Sequence, residues 1–557
     1  MNNRHIIQAF RSLFSLQKIH KTDLKNEQIL THPSFEKLCL VLRKRSRDLE
    51  ITELLEVLKT VTYVGVNSNS TITQILLQLL RHQINNLSLQ QIIFLQFILN
   101  KFTSNPLVDA LKIALPIVLD INLRTKIDTT NLNELSHLLQ FASKNQISKE
   151  NIDYIINVLI SHDIQNIHMA KSIVWSVCDL PVEDVAYEKL LKKCLDLISK
   201  DLSQLKCTEV DTTLSKLAQR FSSRNNAVWF YHEKFANSCA EYIIDNRLDI
   251  NVANGIQRRL LQFDHVHMPL IDYFTNLYLN DPTLLLNNKT VFMKTFISSI
   301  VRADYINLKS LPNVKEIIQK YIDSKERKEI AGINFTLELA VLDFYNRKVL
   351  ETSLEDEYLQ RTVNKGNLTQ CQNLLLLSQA LVHLNKDHTD LVPSNTIINA
   401  ALERIPPRNE FPLKNALSVA LGGYNYFKTN VNANLGYAID HIMVVRRGGF
   451  PIAINQNDEA NVQTNLEDIE CSNDNQMVAI ITFPSNCYAI NSHRLKGNYS
   501  FMVNLLEARG IRTIPISIMK WNKLLDFEKI PYLMQKIKLE CDKYNEINND
   551  SIFVVFS

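Results

Sequence analysis

Glycine is sparse, at 11 of 557 residues. That excludes a Gly-rich phosphate-binding loop and a fold built on many tight turns, and it favours helices joined by polar turns. Cysteine is present 9 times, an odd count with no Cys-x-x-Cys pair. That pattern argues against a disulfide framework and a zinc ribbon, and a reducing compartment fits best. Charge of one sign is also lacking. The net charge is +3, so the chain is not a uniformly basic nucleic-acid domain, and any polyanion-binding surface must be a local patch. No apolar run reaches the roughly 18–20 residues of a membrane helix, so no membrane insertion is expected. Acid is missing from the first 22 residues, up to Thr22.

That acid-free start is what first stands out among the features present. Arg4, Arg11 and Lys18 recur every seven residues and share one helical face, while Ile6, Phe10, Leu13 and Phe14 lie on another. Ser12 and Ser15 add hydroxyls. A basic amphipathic segment of this kind over residues 1–22 reads as a mitochondrial transit peptide, drawn inward by the membrane potential.

The rest has ordinary globular composition, 46% hydrophobic and 21% charged. Its length allows several domains. Residues 35–290 show helical periodicity, as in Ile51–Leu58, where apolar residues fall at i, i+3, i+4 and i+7. Asn67-Ser68-Asn69, Ser104-Asn105-Pro106, Asp179-Leu180-Pro181 and Ser222–Asn226 supply turn chemistry without long linkers. Similar amphipathic starts fall near Ile51, Ser88, Asn131, Ile167, Cys207 and Asn251. A spacing of roughly 36–44 residues is that of helix–turn–helix solenoids, whose single pairs cannot bury their own apolar faces. In one such pair, Leu132–Leu139 precedes a second helix that Ser148 and Asn151 open as a polar cap would. Helices continue over Phe292–Ala303, Phe335–Tyr345, Asn373–Leu384 and Leu413–Leu421.

Near residue 431 the character changes. Tyr437–Val445 is rich in β-branched residues and ends at Arg446-Arg447-Gly448-Gly449, a hairpin signal. Residues 456–476 are polar and read as a mobile loop. Met477–Phe483 is a continuous apolar run suited to a buried strand. Asn498–Arg509 reads as a helix stopped by Gly510, Arg512–Ser517 as a strand and Glu528–Tyr544 as a helix. This is a small α/β unit with a β–α–β crossover.

Ser492-His493-Arg494-Leu495-Lys496-Gly497, the helix through Leu505-Leu506-Glu507-Ala508-Arg509-Gly510, Thr513-Ile514-Pro515-Ile516, Lys520-Trp521 and Pro531-Tyr532-Leu533 together resemble a RAP domain over residues 477–540. Upstream, Val301-Arg302-Ala303-Asp304-Tyr305 resembles a step of the first FAST module, here 291–360. The stretch closing on Gly436-Tyr437-Ala438-Ile439-Asp440 resembles the second, here 370–455. The order of parts is similar to that of the FAST kinase domain-containing family. The resemblance implies a mostly α fold: a helical-repeat solenoid followed by a small C-terminal α/β RAP domain like the PD-(D/E)xK nucleases. It further implies a protein of the mitochondrial matrix that acts on single-stranded mitochondrial RNA, affecting transcript stability, processing or translation, with RNA-granule proteins as partners and no cofactor. Despite the family name, the sequence contains no His-Arg-Asp catalytic loop and no Asp-Phe-Gly.

In a nuclease of that fold, clustered carboxylates hold a divalent metal. Asp440 is the only candidate carboxylate, because Ile481 and Phe483 stand where further acids are expected. The expectation is therefore RNA binding without cleavage, with no catalytic and no metal residues. The alternatives are a metal-dependent ribonuclease and a helical scaffold that binds only proteins. Candidate RNA contacts are Arg446, Arg447, Arg494, Lys496, Arg509 and Arg512, with His493 and Lys520 nearby. Trp521, Tyr488 and Tyr499 are candidate stacking faces. The basic run Arg43-Lys44-Arg45-Ser46-Arg47 reads as a solvated helix face, and Asp264-His265-Val266-His267 as structural rather than metal-binding.

Overall fold

A computed structural model describes residues 3–19, 25–181, 184–223, 227–306, 308–446, 449–455, 464–472 and 474–555. The chain is mostly helical, with a C-terminal mixed sheet of six strands. It divides into two compact units, Met1–Ser238 and Cys239–Ser557. Among the described residues no helix is long and apolar enough to cross a membrane.

In the first unit the amphipathic starts coincide with observed helices: Ile51–Val64, Leu89–Leu99, Leu132–Ala142, Ile167–Asp179 and Cys207–Ser223. Polar caps set several of them. The Ser88 side chain accepts from the Gln91 N–H, Asn131 from Glu134 and Asn166 from Met169, each satisfying an otherwise orphaned donor. Ser148 stands at the N-cap of Lys149–Ser161 but makes no capping bond. Its hydroxyl donates instead to Asp120 at 2.8 Å, and Asn151 donates to the same carboxylate at 2.7 Å. The expected cap is thus a tie to the helix Pro106–Lys126, the previous member of the same row.

Alternate helices pack on one another. Ile51–Val64 lies on Leu89–Leu99, that on Leu132–Ala142, and Ile167–Asp179 continues the row. Thr71–His82, Pro106–Lys126, Lys149–Ser161 and Val185–Ile198 form the other. Polar bonds link successive helices within a row at recurrent separations: Trp175 to Thr213 over 38 residues and Tyr187 to Asp153 over 34. In the second unit, Ser298 and Glu338 are 40 residues apart, and Asn373 and Asn334 are 39 apart.

The helix Asn3–Ile19 is built into the first unit. Ile6, Ile7 and Phe10 are buried, the helix lies on Ile51–Val64, and Phe14 meets Tyr63 edge-on with centroids 5.0 Å apart. The amphipathic pattern read as a targeting signal therefore has a packing partner. Met1, Asn2 and residues 20–22 of that segment lie outside the described residues.

The sheet of the second unit comprises β1 (Phe427–Asn432), β2 (Ala438–Arg446), β3 (Pro451–Ile452), β4 (Thr464–Asn465), β5 (Asn475–Phe483) and β6 (Ile511–Ser517), in the order β4-β1-β2-β5-β6 with β3 beside β2. β2 pairs antiparallel with β1 and β5, and β5 pairs parallel with β6 through the crossover helix Gly497–Ala508. β5 is buried from Val478 to Phe483, whereas β6, at the sheet edge, leaves Pro515 exposed. On one side Leu417, Trp521, Leu533 and Ile537 close over Met443, Ile480 and Ile514.

The sheet begins at Phe427 and draws strands from both 370–455 and 477–540. Part of the polar stretch 456–476 is held by the sheet. Val431 of β1 pairs with Thr464, and Leu466 and Ile469 are buried at 4% and 5% exposure, which anchors its described part. β2 and β3 form the expected hairpin; Arg447 and Gly448 at its turn lie outside the described residues.

Candidate functional site

A cavity of about 840 Å³ opens in the second unit, between the ends of β1, β2 and β5 and the helical stretch around 368–408. Its position depends on one glycine. Gly436 has φ +74, and a Cβ there would lie 2.8 Å from the Gln372 Cα. Only glycine lets the β1–β2 turn approach the helix Leu368–His383 this closely, and the Gln372 side-chain amide donates to the Gly436 carbonyl at 3.2 Å.

Asp440 lies beneath this cavity, fully buried on β2. One of its oxygens accepts from the Thr482 N–H at 2.7 Å and from Arg408 at 3.2 Å. The other accepts from the Thr482 hydroxyl at 2.8 Å and from Arg408 at 3.1 Å. Arg408 also donates to the Thr482 hydroxyl. Its guanidinium thus forks across the carboxylate, as planar geometry favours. Burial pushes the Asp440 carboxyl up to about 6, with Arg408 and then Thr482 opposing that rise. Beside it His441 is buried between Phe411 and Phe427, its Nδ1 3.0 Å from the Thr429 hydroxyl. Burial lowers its pKa to about 3, so the ring is neutral.

This geometry does not suit a hard metal. Both carboxylate oxygens are occupied by donors, and Ile481 and Phe483 are apolar neighbours. Among the described residues no group of three or more His, Cys, Asp or Glu side chains is arranged to hold a metal ion. The cavity is lined by the amides of Gln372, Asn430 and Asn486 and by the charged Glu403 and Arg408, between apolar walls, with Tyr437 and Tyr499 edge-on at 5.7 Å. Burial raises both phenols, Tyr437 to about 12, so both stay protonated donors.

The residues singled out in the sequence do not form one patch. Arg494 donates to the Ala303 carbonyl at 3.0 Å, and Lys496 pairs with Asp264 at 2.6 Å. Arg509 donates to the Ala433 carbonyl and to Glu467, each at 3.1 Å. All three therefore fasten the chain to itself. Arg446 is exposed at the end of β2 and shares a crevice with the half-buried Arg512. Tyr488, His493 and Lys520 line a separate cleft of about 220 Å³. Arg447 lies outside the described residues. Trp521 is corrected: at 3% exposure its indole belongs to the core and has no free face for a base. The Asp264–His267 run is structural in detail. Asp264 binds Arg302 and Lys496, and His267 Nδ1 accepts from the Leu270 N–H as the cap of Met268–Asn280.

Arg408, which holds the site together, was not anticipated. It is 32 residues from Asp440, and the only local signal is the Pro406-Pro407 step that fixes its approach. No family model matches this chain, and no curated protein matches it.

Proposed function

We propose that this chain is an RNA-binding protein that holds single-stranded transcripts without cutting them, in the mitochondrial matrix. The observation that carries the reading is the lock of Arg408 and Thr482 on Asp440. Metal-assisted hydrolysis needs carboxylate oxygens free for a cation, and here the chain's own donors take them. The cavity above, with amides, Glu403 and Arg408 between apolar walls, suits a flat base read along its hydrogen-bonding edge. The recurrent separations of bridging bonds support a helix–turn–helix solenoid as the body. A β–α–β unit with Asp440 beside it supports a RAP-like end of nuclease ancestry. The basic helix Asn3–Ile19 supports the location, and its packing supports retention after import.

The test is fluorescence anisotropy of labelled RNA with the full chain, single-stranded against duplex, followed by gels after incubation with Mg²⁺ or Mn²⁺. Preferred binding of single strands that stay intact is expected. No binding at low ionic strength would sink the reading. Cleavage that disappears in Asp440→Asn would replace it with a ribonuclease. A protein-binding scaffold is favoured by one feature, the exposed Ile113, Ile117 and Ile121 on a single face of Pro106–Lys126. Crosslinks confined to proteins would select it.

A further inference from the structure

The helix Val185–Ile198 of the first unit carries Lys189, Lys192 and Lys193, and Lys200 follows it. These four lysines line one open cleft of about 440 Å³, together with Asp163, Asp196 and two apolar side chains. Lys189 and Lys193 are four residues apart and share a helix face, and Lys200, just past the helix end, lines the same cleft.

The lysines differ in how they are held. Lys193 donates to the Ile160 carbonyl at 2.9 Å and to that of His162, across the C-terminal end of Lys149–Ser161. It is a structural cation that offsets a helix end. Lys189, Lys192 and Lys200 are exposed and make no ion pair among the described residues. Of the two acids in the cleft, Asp196 meets His232 at 3.3 Å and Asp163 accepts from Gln165 at 2.9 Å. Burial holds His232 below its ordinary pKa against the pull of Asp196, and Lys192 and Lys234 push the same way. In a chain of net charge +3 such a concentration is local.

The geometry points to this lysine cleft as the seat of the RNA backbone, with Lys189, Lys192 and Lys200 each meeting a phosphate. The inference rests on the RNA-binding reading and deepens it by naming the phosphate contacts. Lysine suits the task as a mobile point charge that needs no fixed phosphate orientation. A concave cleft admits a strand, whereas an anionic bilayer presents a flat face.

The experiment compares the full chain with the triple variant Lys189→Gln, Lys192→Gln, Lys200→Gln, measuring affinity for labelled single-stranded RNA across a salt series. A charge-matched control changes the exposed Lys37, Lys44 and Lys144 to Gln. A triple Lys→Arg variant keeps the charge, and thermal melting checks folding. Each phosphate contact contributes about 0.7 to the slope of log K against log salt on a single strand, so three lost contacts flatten it by about 2. The expected result is that flattening, with affinity at low salt down at least about tenfold, a small change in the control and retention in the Arg variant. Unchanged slope and affinity in the Gln variant, while the parent binds RNA, overturns the cleft and leaves the RNA reading standing. An equal effect in the control also overturns it. A parent that binds no RNA removes both. Loss of flotation with phosphatidylserine vesicles, with RNA binding intact, assigns the lysines to a membrane and overturns the inference.

Discussion

Gly497 abuts the Val301 carbonyl so closely that a Cβ on it would lie 2.4 Å from the oxygen. The two residues belong to the two motifs that stand out in the C-terminal half. Around them Arg494 reaches the Ala303 carbonyl, and Ser500 donates to Asp304 at 2.9 Å. The Asn491 amide exchanges bonds with the Val266 backbone in both directions. The Lys-Gly step and the Ala-Asp-Tyr step are thus the two halves of one joint. Gly497→Ala forces backbone apart, because the obstructing atom is a carbonyl oxygen and not a flexible side chain. A loss of about 1–3 kcal/mol is expected, read as a lower denaturant midpoint of the full chain. An unchanged midpoint would show that the joint yields freely.

Asp264 is the polar centre of the same joint, taking both Arg302 and Lys496. Its φ is +56, a conformation that asparagine also tolerates. Asp264→Asn therefore removes the charge while keeping the turn. It should cost about 1–2 kcal/mol, the pair being partly screened by solvent, and the cost should shrink at high salt. A salt-independent loss would mean that the turn, not the charge, had been disturbed.

The joint also shows where sequence reading reaches and where it stops. Helix starts at Ile51, Leu89 and Leu132 were legible because period and cap chemistry are local. β5 was legible because Met477–Phe483 is continuously apolar, and β2 because it is rich in β-branched residues and ends at a hairpin signal. β1 was not, since Lys428, Asn430 and Asn432 interrupt it, and Asn430 has φ +60. The cavity lay beyond reach because its parts meet only in the fold. Arg408 and Thr482 in the cavity are 74 residues apart, and in the joint Lys496 and Asp264 are 232 apart. A basic residue beside a motif looks the same in sequence whether it faces a ligand or a carbonyl of its own chain.

Removing Arg408 tests the lock directly. Arg408→Ala leaves Asp440 buried without its counter-charge, which should cost about 3 kcal/mol, less than for a wholly buried pair because Arg408 is 31% exposed. Asp440→Asn, which removes the charge that needs neutralising, should cost less. A double variant no worse than Arg408→Ala alone would establish the coupling. Additive losses would refute it.

Deleting residues 1–19 tests whether the first helix is structural. Ile6, Ile7 and Phe10 are each worth roughly 1.5–3 kcal/mol of burial, an upper estimate given residual structure in the unfolded chain. Their loss uncovers the helix Ile51–Val64. The truncated chain should melt earlier and bind more hydrophobic dye. A truncated protein of unaltered melting temperature would show that the segment is dispensable to the fold.

Glu338 supplies the pH dependence. Burial pushes its carboxyl up to about 7 from an ordinary 4.5, with Ser298, Arg302 and Lys294 opposing the rise. Its folded pKa is therefore above the unfolded one, so the folded state binds the proton more tightly. Stability from this group is greatest below about pH 4.5 and falls as pH rises towards 7. Glu338→Gln keeps the volume and can still bond Ser298, but has no proton to lose. Chemical denaturation at several pH values should show the variant gaining on the parent between pH 5 and 7 and holding a constant advantage above that range. Parallel curves for the two proteins would mean that Glu338 ionises in the fold as it does in water.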